Sequence, residues 1–145
     1  MIYTKLTKKA LGIAFDVHKE QFDKSGMPYV FHPFFLACQM TTEEEVIVAL
    51  LHDVVEDGDI TLEDLAACGF NFDIIKALSL LTRDDDMTYM EYIEQIKQSP
   101  LAVKVKLADL NHNSDLSRLD IVDKWALKRI EKYKKAIAAL EGDKK

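Results

Sequence analysis

Between Thr41 and Gly58 six consecutive apolar residues, Val46 to Leu51, run directly into His52, Asp53, Glu56 and Asp57. The preceding Thr41-Thr42-Glu43-Glu44-Glu45 supplies a capping threonine and acids that complement a helix dipole. The β-branched run therefore reads as a buried helix rather than a strand, ending near Gly58. Residues four apart share a helix face, so His52 would stand over Glu56 and Asp53 over Asp57. Carboxylates crowded on a buried helix repel one another and lose hydration unless a cation compensates, most simply a divalent metal. The competing reading is an ordinary polar helix end before Gly58. If a metal is held, mixed nitrogen and oxygen donors suit manganese or iron with open positions better than calcium or a closed structural zinc.

Around this segment the pattern is helical. Leu6, Ala10, Ile13, Ala14 and Val17 recur at helical spacing in a stretch from Leu6 to Phe22, and Lys24-Ser25-Gly26-Met27-Pro28 breaks it. Pro33 suits the first turn of a helix from Pro33 to Met40, which puts His32 at an exposed helix entrance. Thr61, with Asp64 three residues on, caps a helix to Ala67, and Phe72 to Leu81 carries another. Thr88 to Gln98, Leu101 to Leu116 and Val122 to Leu140 follow, with Ser99-Pro100 separating the first two. No convincing strand remains. The expected fold class is all-α: a single compact helical domain over residues 1–145, with about six to eight helices.

Composition excludes several functions. A net charge of −6 argues against a nucleic-acid coat, because phosphate-backbone binding depends on Lys and Arg. A phosphorylated ligand would need a metal and a few local cations, for which Lys24, Arg83, Lys104, Lys106 and Arg129 are candidates. No apolar run approaches the roughly 20 residues that cross a bilayer, and no signal-peptide pattern opens the chain, so no membrane partner and a cytoplasmic location are expected. Cys38 and Cys68 form no CxxC pair and read as buried thiols. His18 reads as a surface or packing histidine. The Phe34-Phe35 pair and Trp125 are core or interface residues, and oligomeric state is not legible.

One more segment carries polar groups. In Val103 to Asn113 the alternation of apolar residues with Lys104 and Lys106 taken alone suits a strand. The polar cluster after it, and its helical surroundings, favour a helix with Asp109 and Asn113 on one face.

Taken in order, His32, His52-Asp53 and Asp109 resemble the H…HD…D signature of the HD-domain phosphohydrolase superfamily. Pro28-Tyr29-Val30-Phe31-His32-Pro33, ALLHDVVED from Ala49 to Asp57, the Leu81-Thr82 step and VKLAD from Val105 to Asp109 narrow this. They resemble the hydrolase domain of RelA/SpoT proteins over nearly the whole chain, and at this size the small alarmone hydrolases. That resemblance implies manganese-dependent removal of pyrophosphate from the 3′ position of guanosine tetra- and pentaphosphate. It implies His32, His52, Asp53 and Asp109 as metal ligands and Glu56 and Asp57 as the catalytic acid pair. It also implies Lys24, Asn113, Arg129 and Tyr133 as contacts to a nucleotide polyphosphate.

Two departures accompany the resemblance. Gln21 aligns with a family arginine that contacts the base, and after Asp109 a lysine is lost while His112 is gained. His112 is read as a substrate contact, a polar neighbour of the metal, or a residue without a role. The alternatives are another HD-superfamily nucleotidase, a hydrolase of adenosine-based or other nucleoside polyphosphates, and a non-catalytic module that senses a nucleotide.

Overall fold

The computed structural model describes residues 1–142. In chain order the helices are α1 (Lys5–His18), α2 (Phe31–Cys38), α3 (Glu43–Leu51), α4 (Val54–Asp57), α5 (Leu62–Ala67), α6 (Phe72–Leu81), α7 (Tyr89–Ile96), α8 (Pro100–Asn113) and α9 (Lys124–Glu141), with a 3₁₀ turn at Leu116–Arg118. Eight of the α-helices have six residues or more, α4 being a single turn. Among the described residues no strand forms, and an isolated bridge pairs Phe22 with Pro28. The fold is all-α, as the periodicity predicts, and no helix is long and apolar enough to cross a membrane.

Thr4, Thr42, Thr61 and Thr88 begin α1, α3, α5 and α7 with reciprocal capping boxes, each hydroxyl accepting the amide three residues on while that residue's side chain returns to the cap. Asn71, Ser99 and Asp123 cap α6, α8 and α9 through side-chain oxygens.

Helix α3 lies at the centre. Its residues Val46 to Leu51 are all fully buried, which a helix achieves only when neighbours cover every face. Helices α1, α2, α6 and α8 pack around it, α9 packs on α8 and α7, and α5 on α6. Leu36, Ile47, Leu50, Leu51, Leu65, Ile74, Leu78, Ile93, Ile96 and Leu110 fill the core between them.

Four local expectations are corrected. The helix that begins at Glu43 does not run to Gly58: it stops at Leu51, His52 and Asp53 form a turn, and α4 restarts at Val54. The physical reason is the His52 side chain, whose Nδ1–H donates to the Ala49 carbonyl at 2.7 Å and so satisfies a backbone acceptor at the end of α3. His32 is not at an exposed entrance, because α2 begins two residues before Pro33 and turns the imidazole inward. The first helix ends at His18, since residues 21–29 form a tight hairpin closed by Asp23 N–H to Met27 O at 2.8 Å and Tyr29 N–H to Gln21 O at 2.8 Å. Gly26, at φ +82°, permits that turn. Neither cysteine is buried: Cys38 ends α2 facing solvent, and Cys68, the residue after α5, is half-buried.

Leu50→Ala in the buried last turn of α3 is expected to lower stability by about 2–5 kcal/mol and Thr42→Ala by about 1 kcal/mol, measured as a shift in the urea midpoint at constant slope.

Candidate metal centre

Three elements bring four of the expected residues together. The first turn of α2 supplies His32, the turn between α3 and α4 supplies His52 and Asp53, and α8 supplies Asp109. Asp109 Oδ1 lies 2.8 Å from His32 Nε2 and 3.5 Å from His52 Nε2, and Asp53 Oδ2 lies 3.0 Å from His52 Nε2. His32, His52 and Asp109 each offer a ligand atom within 4.8 Å of the others. All three are buried, at 3%, 4% and 5% exposure.

The chemistry of these atoms calls for a cation. The bond to Ala49 puts a His52 proton on Nδ1, which leaves Nε2 buried without a hydrogen-bond partner and facing two carboxylates. A neutral imidazole in that position turns its lone pair toward negative charge, which is repulsive unless a positive charge intervenes. A proton on Nε2 meets the need in the metal-free protein. Burial opposes the charged imidazole, yet Asp53 and Asp109 outweigh it and hold the His52 pKa well above the ordinary histidine value. A divalent ion satisfies the same two carboxylates and both imidazoles, so the residues fit a metal.

The surrounding groups keep the carboxylates ionised. Burial pushes the Asp109 pKa up, but Lys106, whose Nζ donates to Oδ2 at 2.8 Å, and both histidines bring it well below the ordinary carboxylate range. Asn113 Nδ2 donates to Oδ1 at 3.0 Å, confirming the shared face expected on α8. Asp53 is likewise raised by burial and lowered further by His52, to about 2. The Tyr29 hydroxyl donates to Asp53 Oδ2, and burial beside that charge pushes the phenol pKa far above its usual value. Lys106, a candidate phosphate cation in the sequence, is instead paired with Asp109, and Tyr29, to which the sequence assigns no role, is paired with Asp53. Lys106 stands three residues before Asp109 on one helix face, so helical spacing could have paired them. Tyr29 reaches Asp53 from the hairpin, which spacing along the chain does not reveal.

The break at His52-Asp53 replaces the single helix expected to carry all four residues: His52 ends α3, while Asp53 caps α4 and its carbonyl accepts the Asp57 N–H at 3.0 Å. Glu56 accepts the Arg83 backbone N–H at 2.8 Å, and Glu56 and Asp57 border a solvent-open recess with Thr82, Arg83 and Asp85. Burial raises the Glu56 pKa, opposed by the Arg83 amide. Asp57 Oδ2 accepts from Gln21 Nε2 at 3.2 Å, while Gln21 Oε1 takes up His18 Nδ1 at 2.8 Å. Both ends of the Gln21 amide are thus engaged, and the residue holds Asp57 from the edge of a cleft that it also lines. His18 is a packing histidine, fully buried.

Beside the cluster a cleft of about 320 Å³ is lined by His32 and by all four of the expected substrate residues, Lys24, Asn113, Arg129 and Tyr133. Arg118 also lines it, a cation that sequence reasoning missed. Its guanidinium reaches Asp23 at 3.6 Å and its carbonyl accepts from Ser25 Oγ at 2.7 Å, tying the 3₁₀ turn to the hairpin. Lys104 is not part of the site, since it pairs with Glu45 at 3.0 Å. Trp125 is 57% exposed and lies outside the core.

A divalent ion held by this cluster, at about 100 times its Kd, is expected to stabilise the fold by about 2.7 kcal/mol, and so to raise Tm by roughly 5–10 °C over the chelator-treated protein in a thermal melt. Asp53→Ala should abolish that shift, and a shift that survives the substitution would remove Asp53 from the ligand set.

No protein-family model matches the chain. It is 31% identical over 144 residues to the guanosine-3′,5′-bis(diphosphate) 3′-pyrophosphohydrolase MESH1 of Danio rerio, a match covering 90% of this chain and 79% of that protein. The Mus musculus MESH1 is 33% identical over 139 residues, covering 86% of this chain and 76% of its own length. A probable guanosine-3′,5′-bis(diphosphate) 3′-pyrophosphohydrolase of Synechocystis is 32% identical, but only 19% of that long protein is spanned. Among solved structures, a metazoan ortholog of SpoT that hydrolyses ppGpp superposes with a TM-score of 0.78 at 26% identity, covering 97% of this chain and 87% of that one. With two relatives above 30% identity matched over most of their length, the chain belongs to the family of guanosine-3′,5′-bis(diphosphate) 3′-pyrophosphohydrolases that includes MESH1.

Proposed function

We propose that this chain is a metal-dependent pyrophosphohydrolase, one domain over residues 1–145, that removes the 3′-pyrophosphate from ppGpp-like nucleotides, the reaction named for its relatives. The observation that carries the reading is His32, which belongs both to the buried cluster and to the wall of the cationic cleft. A bound ion and a bound polyphosphate would therefore be neighbours.

In this reading His32, His52, Asp53 and Asp109 hold one divalent ion, and their nitrogen and oxygen donors favour manganese, with iron as the alternative. When bound, the ion supplies Lewis acidity that activates water and offsets charge on a phosphoryl group. Lys106 occupies Asp109 Oδ2, which leaves Oδ1 as the oxygen turned to the cluster. Lys24 and Arg129 neutralise phosphates on an otherwise acidic protein, while Asn113 and Tyr133 orient the phosphate and sugar region.

Glu56 and Asp57 position the attacking water and carry protons. Water adds to the first phosphorus of the 3′ group, the bond from that phosphorus to the 3′ oxygen breaks, and the departing oxygen takes a proton. Burial, by raising the Glu56 pKa, brings this carboxyl closer to neutrality and makes it better able to exchange a proton near working pH.

Manganese-loaded protein should release pyrophosphate from guanosine 3′,5′-bis(diphosphate) and none from nucleoside 5′-triphosphates, with products separated by chromatography. Products from the 5′ side alone would sink the proposal, whereas equal turnover of adenosine 3′-diphosphates would keep the reaction and remove guanine preference. Asp53→Ala should lose turnover while keeping its far-UV circular dichroism.

Glu56→Gln should lower kcat by about 10²–10⁴-fold with little change in KM. Because the Glu56 pKa is raised, its carboxylate form accumulates at a higher pH than that of an ordinary glutamate. The kcat profile should accordingly rise with pH through this titration in the parent and lose this limb in the variant.

A further inference from the structure

His112 is the one imidazole at the cluster that contributes no ligand atom. It sits three residues after Asp109 on the same face of α8, and its Nδ1 lies 2.7 Å from His32 Nδ1 across the contact between α2 and α8. The two rings are nearly parallel, at 4° with centroids 5.0 Å apart. Phe35 stacks on His112 at 4.3 Å, and Arg118 Nη1 donates to the His112 carbonyl at 2.9 Å. Ring and backbone are thus both held.

Two facing Nδ1 atoms at this distance share a single proton, and where that proton belongs decides whether His32 can bind a metal. If it belongs to His112, the His32 Nδ1 is the acceptor, so a neutral His32 carries its own proton on Nε2 and donates it to Asp109 Oδ1 at 2.8 Å. In that tautomer Nε2 has no lone pair for an ion. If the proton belongs to His32 Nδ1, the His32 Nε2 lone pair is directed at the cluster, and His112 must be the neutral Nε2–H tautomer that accepts at Nδ1.

We propose that His112 is a positioning residue that accepts the His32 Nδ1 proton and thereby selects the metal-binding tautomer and ring orientation of His32. The inference rests on His32 being a ligand in the reading above. His52 has the equivalent partner in the Ala49 carbonyl. The two imidazoles are thus oriented by different devices, one a backbone acceptor within its own helix end and the other a side chain on a neighbouring helix.

The test is titration of metal-free protein with Mn²⁺ alone, reading free ion by electron paramagnetic resonance. His112→Phe retains a ring against Phe35 but accepts no proton, and it should weaken Mn²⁺ binding by about 10–100-fold. His112→Asn, whose Oδ1 stands near the position of the lost Nδ1, should recover most of the affinity, a rescue that a purely packing role does not produce. Parent-like affinity in His112→Phe overturns the proposal, as does Asn binding no better than Phe. His32→Ala separates the two readings. If it binds Mn²⁺ like the parent, the ligand assignment falls and the proposal with it. If it loses binding while His112→Phe does not, only the positioning role falls. Nitrogen-15 spectra of the Zn²⁺-loaded parent test the same point without substitution: His112 protonated at Nε2 and His32 at Nδ1 is expected, and a His112 protonated at Nδ1 refutes the proposal.

Discussion

The structure is organised around a buried imidazole nitrogen that faces two carboxylates. His52 Nε2 cannot be satisfied by Asp53 and Asp109 unless a positive charge lies between them, and almost every polar contact nearby follows from this. Lys106 and Asn113 each donate to Asp109, and the Tyr29 hydroxyl donates to Asp53. His52 for Asp53, and Lys106 with both histidines for Asp109, bring these carboxyls below the ordinary carboxylate range against the opposing effect of burial.

That arrangement depends on where α3 stops. A helix buried on every face gives its last turn no solvent, so the carbonyls at its end need partners inside the protein. His52 provides one through Nδ1, and the same bond sets the direction of its other nitrogen. Ending the helix and preparing the site are a single event. From this break the chain passes from buried His52 through half-buried Asp53 to Glu56 and Asp57, which are exposed at the rim of an open recess.

Charge is distributed unevenly to suit this division. The chain carries an excess of acids, yet Lys24, Arg118 and Arg129 converge on the cleft beside His32. Asp57 is held by Gln21, which His18 orients from the end of α1, so the residue that stands where the family has a base-contacting arginine is engaged in holding an acid. Arg118, which ties the 3₁₀ turn to the hairpin, borders both that cleft and the His112 backbone.

Much of this was legible before any coordinates. Helical periodicity and the capping threonines at 41–42 and 61 locate the helices, because capping and amphipathicity are local properties written within a few residues. The family pattern of His32, His52-Asp53 and Asp109 points to the cluster, and Lys24, Asn113, Arg129 and Tyr133, which the resemblance implies as nucleotide contacts, line one cleft beside it. What periodicity could not express was the break at His52, since a side chain competing for a backbone carbonyl leaves no trace in the spacing of apolar residues. The burial of His32, the reach of Tyr29 to Asp53, the Gln21 bridge and the His32–His112 pair were decided only in three dimensions. Each joins residues far apart in the chain, and such contacts depend on how helices pack rather than on what any one segment contains.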